Sequence, residues 1–80
     1  MANIRVEMSP RSQVEREEII AELTDVMVKH GSPRESTFVI LYEVSHDVWA
    51  KGGVTYTKRM LAAEQGIPVE ELLAAESLTK

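Results

Sequence analysis

Apolar and polar positions alternate over the first stretch of the chain. Ile4, Val6 and Met8 are apolar, while Asn3, Arg5 and Glu7 between them are polar. A period of two predicts a strand with one face buried. Ser9-Pro10 ends it. The period then changes. Ile19, Ile20, Leu23, Val26 and Met27 recur at three-and-four spacing, the stripe of an amphipathic helix. Glu15, Arg16, Glu17, Glu18, Glu22, Asp25 and Lys29 fill its other side and read as a solvated face. Ser12 stands three residues before Glu15 as a capping box, and Gly31 is a C-terminal stop, so the helix is predicted over Gln13 to His30.

Ser32-Pro33-Arg34-Glu35 repeats the S-x-x-E pattern with room for one helical turn. Thr37 to Val44 follows, β-branched and aromatic, with Phe38-Val39-Ile40-Leu41-Tyr42 unbroken by any charge. Near-continuous apolarity predicts a strand covered on both faces. Strand, helix and strand make a β-α-β unit with parallel strands and a right-handed crossover.

Beyond it, Ser45-His46-Asp47-Val48-Trp49 reads as a turn and Gly52-Gly53 as a tight reversal. Val54-Thr55-Tyr56 is predicted as a short strand, with Thr57 capping a helix over Lys58 to Gln65 that Gly66 ends. Pro68 opens a last helix through about Ser77, with Glu70 and Glu71 at its positive end. The chain shows no internal repeat, linker or low-complexity segment.

Length changes the meaning of this pattern. Eighty residues make one domain at most. A chain this short buries only about 60% of its unfolded surface. Cysteine is absent, which excludes disulfides and thiolate zinc sites, and His30 and His46 are too few for a histidine-rich metal centre. Two strands and one helix cannot cover their own sheet, so partner subunits are the remaining source of a core.

A net charge of −4 argues against general nucleic-acid binding. Ala62 to Leu73 has the helix–glycine–helix form of a DNA-binding turn, but its second helix carries Glu70, Glu71 and Glu76 and no arginine. Phosphates would be repelled, and packing across a subunit interface is the better reading. The longest apolar run is about five residues, far below the roughly 18 of a membrane span. Arg5, Glu7 and Arg11 interrupt any signal peptide. The expectations are a cytoplasmic protein with no nucleic-acid, membrane or cofactor partner.

From Ala2 to Gly53 the chain resembles the tautomerase superfamily, on its 4-oxalocrotonate tautomerase side. The resemblance lies in Ile4-Arg5-Val6-Glu7-Met8, Pro10-Arg11, Leu23-Thr24-Asp25-Val26, Val39-Ile40-Leu41-Tyr42-Glu43-Val44, Trp49 and Gly52-Gly53, in that order. It implies an α/β (α+β) protomer that completes a four-stranded sheet by dimerisation. The core and short hairpin would occupy residues 1–56 and a C-terminal helical extension 57–80, within a single domain over 1–80. It also implies a homo-oligomer (dimer, trimer or hexamer), or a hetero-oligomer with a related chain.

The family's chemistry, as the resemblance implies it, is keto–enol proton transfer on a small carboxylate-bearing 2-oxo or 2-hydroxy acid by an amino-terminal proline. Ala2 falls at the proline position, where removal of Met1 leaves a primary amine. Such an amine titrates just above neutral pH and also forms imines with carbonyls. Arg11 matches the arginine that clamps the carboxylate with two hydrogen bonds. Phe38 falls where the family has a second arginine and packs in a core or interface, or lines the pocket. Trp49 matches the pocket aromatic, with packing on Gly52-Gly53 as the competing role. His46 and Asp47 read as a solvated turn, and Met8, Met27 and Met60 as filler. Because both proline and second arginine are missing, the alternative is a non-catalytic homologue or partner subunit.

Overall fold

Ala2–Met8 forms strand β1 and Thr37–Glu43 forms strand β2 in the computed structural model, which describes residues 1–78. The two strands pair in parallel, from Ala2 opposite Thr37 to Met8 opposite Glu43. Helix α1, Gln13–Lys29, joins them and packs against β2. The predicted β-α-β unit is therefore present. It lies within one of two compact units, Met1–Val44; the other begins at Ser45.

Both ends of α1 follow from local chemistry. Ser12 accepts the Glu15 amide at 3.2 Å and donates its hydroxyl to the Glu15 carboxylate at 3.0 Å. At the other end the Ser32 amide reaches the Met27 carbonyl and the Gly31 amide reaches that of Val28, a Schellman closure. That closure needs a left-handed residue, and Gly31 supplies it at φ 98°. His30 caps the helix rather than extending it. Ser32 and Pro33 do not repeat the capping box. Instead Thr37 donates to the Pro33 carbonyl and its hydroxyl meets that of Ser32, both at 2.8 Å, leaving a short 3-10 turn over Arg34–Ser36.

The burial pattern corrects two expectations. On α1, Ile19, Leu23 and Met27 are half-buried, but Ile20 and Val26 are exposed, so the covered stripe is narrower than the apolar one. On β2, burial alternates along the strand, and Phe38, Ile40 and Tyr42 stand exposed at 51%, 40% and 46%. The continuous apolar run predicted cover on both faces. One chain has a single helix to offer this sheet, and it covers one face.

The second unit is held by its own small core. Strands β3, Ala50–Lys51, and β4, Val54–Thr55, form an antiparallel hairpin turned at Gly52-Gly53. Helix α2, Tyr56–Gln65, follows at once, so Tyr56 begins a helix instead of ending the strand. Thr55, not Thr57, is its cap, accepting the Lys58 amide at 3.3 Å. The Thr57 hydroxyl is committed to the Asp47 carboxylate. Gly66 at φ 68° ends α2 and lets α3, Val69–Leu78, fold back against it, with Pro68 just ahead of the helix. Lys58 and Glu76 bridge the two helices at 2.6 Å. Of the predicted extension over 57–80, residues 79–80 lie outside the described residues.

Ala62 and Leu72, 2% and 7% exposed, are the buried apolar residues among those described. Both belong to the α2–α3 pair. Replacing Leu72 by alanine should therefore cost about 2–3 kcal/mol, the usual result of emptying a leucine site that cannot fully collapse. Urea denaturation followed by circular dichroism measures it; a loss below about 0.5 kcal/mol would contradict this core assignment.

Candidate active site

Within the first unit, Ala2 and Phe38 share the start of the paired strands, and Arg11 follows the far end of β1. Ala2 begins β1, beside Thr37, and Met1 before it is 89% exposed. Asn3 lies opposite Phe38 in the next pair, on the open face. The start of the paired strands thus carries the chain's amino terminus, an amide side chain and a half-exposed phenyl ring.

Arg11 stands at the other end. Met8 is six residue steps from Ala2, about 20 Å at the rise of a strand, and Arg11 lies three residues further on. Its guanidinium is 46% exposed and touches the Glu15 carboxylate at 3.5 Å, a long and weak contact. Trp49 belongs to the second unit. Its indole is 6.2 Å from the Tyr56 ring, its carbonyl accepts the Tyr56 amide at 2.7 Å, and the His46 ring lies tilted against the same Tyr56 ring at 5.6 Å. The turn at His46 and Asp47 leaves Asp47 exposed to solvent while holding these contacts.

Sequence reading missed the strongest polar constellation. Glu43, the last residue of β2, accepts Arg16 Nε at 2.8 Å and Arg16 Nη2 at 2.5 Å, and also the Arg11 amide at 2.7 Å. Arg16 is half-buried, not part of a solvated face. This fork holds the first turn of α1 to the end of β2 and fixes the backbone from which Arg11 projects. The signal available was an acid closing an apolar strand, with an arginine one turn into the preceding helix.

The charges respond accordingly. The Arg16 guanidinium, then the Arg11 amide, lowers the Glu43 carboxyl below its ordinary value, and Glu43 in turn raises Arg16. Glu15 is lowered by the Ser12 hydroxyl first and its amide second.

On the open face, Arg5, Glu7 and Tyr42 line a depression of about 430 Å³. Glu7 and Tyr42 are register partners there.

The tautomerase enzyme family matches the chain over residues 3–59. The chain belongs to that family. Among solved structures, a 4-oxalocrotonate tautomerase homologue is 36% identical, with a TM-score of 0.66 over 71% of this chain and 94% of its own. TomN, a 4-oxalocrotonate tautomerase homologue in the tomaymycin biosynthetic pathway, is 30% identical, with a TM-score of 0.70 over 74% of this chain and 94% of its own. The fold recurs in a heterohexamer 4-oxalocrotonate tautomerase from Chloroflexus aurantiacus, 24% identical with a TM-score of 0.64 over 71% and 95%. No curated protein matches at a significant level. The tautomerase match ends inside α2, so α3 is an addition to the matched region. No helix among the described residues is long and apolar enough to cross a membrane.

The Glu43 fork has a defined pH signature. A carboxyl lowered by folding stabilises the native state above its unfolded value, near 4.5, and loses that contribution as pH falls through the lower folded value. Glu43→Gln should therefore unfold earlier than wild type at neutral pH, with the gap closing on acidification below that range. Thermal melts across pH 7 to 2 check it; a gap that is unchanged at acid pH would contradict the ion pair.

Proposed function

We infer that this chain is a tautomerase-type isomerase that moves a proton between oxygen and carbon of a small 2-hydroxy or 2-oxo acid, with the amine at the start of β1 as acid and base. The neutral amine takes the enol hydroxyl proton. The enol's π pair takes a proton at C3 from the resulting ammonium, and the hydroxyl-bearing carbon becomes the ketone. One proton leaves oxygen and one reaches carbon, so no co-reactant is consumed.

The observation that carries this reading is the separation of its two main parts. The amine and Arg11 lie at opposite ends of β1, so a complete site needs an amine from one copy and a guanidinium from another. The open sheet face supports the same assembly, since Phe38, Ile40 and Tyr42 are large apolar side chains left uncovered. Arg11 suits a carboxylate clamp: its planar fork offers two parallel donors, and Glu15 at 3.5 Å competes little. The Glu43 fork holds its backbone steady. Ala2 favours a second reading, a non-catalytic partner subunit, because a primary amine stands where the family uses proline; such a subunit would purify with a related chain and turn over no enol acid.

Loss of the enol absorbance of a 2-oxo acid follows the reaction. A short N-terminal extension that moves the amine and Arg11→Ala should each lower kcat/KM by about a hundredfold or more, the usual scale for a proton-transfer group. Refolding the two variants together should restore activity well above either alone, because some mixed sites then combine an intact amine with an intact arginine. Full turnover in both variants would contradict the mechanism.

A further inference from the structure

Helix α2 uses one face within the chain and leaves another uncovered. Ala62 is buried where α2 packs on α3, and Lys58, one turn earlier, reaches Glu76 across the same contact. A different stripe holds Thr57, Met60, Leu61 and Glu64, at the three-and-four spacing by which one helix packs against another. With His46 these four line a depression of about 300 Å³. Met60 and Leu61 form its middle and are 44% and 39% exposed.

The unit that begins at Ser45 gains from covering this stripe. It is shorter than the roughly 40 residues below which a core rarely suffices without a disulfide, a metal or another subunit. Its buried apolar residues, among those described, are Ala62 and Leu72. Cysteine is absent, and no group of three metal-ligating side chains lies together among the described residues. Packing on a further surface is the source of stability that remains.

The stripe is its own complement. Polar, apolar, apolar and polar positions follow with the same spacing from either end. A two-fold axis between Met60 and Leu61 therefore lays the stripe antiparallel on a copy of itself. The charges agree with this pairing. Helix α2 carries Lys58 and Arg59 in its first turn and Glu64 in its last, the reverse of the order that the helix dipole favours. Glu64 has no hydrogen bond or ion pair among the described residues. An antiparallel copy brings Glu64 to the positive end of the partner's helix, beside the turn that carries His46, and the partner's Glu64 returns the contact. A parallel copy would set Glu64 against the partner's Glu64, and like charges repel. We propose that this face of α2 is an interface between two copies of the chain, paired antiparallel about a two-fold axis through Met60 and Leu61. It involves neither the amine nor Arg11, so it stands apart from the mechanism above and from the open β1–β2 face.

Single cysteines test it in the whole chain, which has none of its own. Met60→Cys and Leu61→Cys each place a thiol beside the axis, where it meets its counterpart on the second copy. Both positions are exposed, so the Ala62–Leu72 core is kept, and circular dichroism should show unchanged helical content. Under mild oxidation both should form disulfide-linked dimers about tenfold or more faster than Glu64→Cys, because neighbouring thiols have a far higher effective concentration than separated ones. An equimolar mixture of Thr57→Cys and Glu64→Cys should yield the mixed dimer in preference to either homodimer, identified by intact mass. Cross-linking of Met60→Cys and Leu61→Cys at no more than the rate of Glu64→Cys would overturn the interface. Rapid self-linking of Glu64→Cys, or no preference for the mixed dimer, would overturn the antiparallel pairing.

Discussion

A two-stranded parallel sheet with one helix has one covered face, and everything else in this tautomerase follows from the other. Parallel pairing requires a crossover, and the chain supplies a single α1 for it. On the covered side Ile4, Val6, Met8, Val39 and Leu41 are half-buried, and α1 packs against β2. On the other side Phe38, Ile40 and Tyr42 remain exposed beside Asn3, Arg5 and Glu7. Burying such side chains fully is worth roughly 1.5–3 kcal/mol each, a large share of the stability of so short a chain.

The same geometry explains where chemistry is available. A parallel sheet puts the two strand starts together and the two strand ends together. The starts hold the amine, Asn3 and Phe38, and the ends hold Glu43, Arg16 and Arg11. Each cluster is internally well specified: the first by register, the second by a carboxylate that accepts three donors. Neither is a complete site. The proposed amine-and-arginine site therefore requires an assembly, and Glu43 and Arg16 enter it by fixing the backbone from which Arg11 projects.

How far the amino-acid sequence announced this can be traced residue by residue. The alternation at Asn3 to Met8, the Ser12–Glu15 box and the Gly31 stop are local signals, and the elements they predict are all present because local hydrogen bonds decide them. Thr55 and Thr57 show the limit of that logic, since two hydroxyls at a helix start compete and only the backbone geometry decides which one caps. The β2 run predicts cover on both faces from a helix and a partner subunit, and one chain supplies the helix side alone, leaving alternate residues exposed. Arg16 and Glu43 are far apart in sequence and look like ordinary surface charges until the crossover brings them together. Ala2, Arg11 and Phe38 are identified through resemblance, and no linear pattern shows that Ala2 and Phe38 share the start of the sheet while Arg11 follows its other end.

The central claim is that the open β1–β2 face is closed by another chain. Sedimentation velocity on wild type and Ile40→Asp at micromolar concentration tests it most directly, because Ile40 sits mid-face and touches neither the amine end nor the Glu43 fork by register. The account predicts a wild-type mass of at least twice the chain mass, and a shift of Ile40→Asp toward the monomer with its helical content retained. A wild-type protein that sediments as a stable, folded monomer would contradict it.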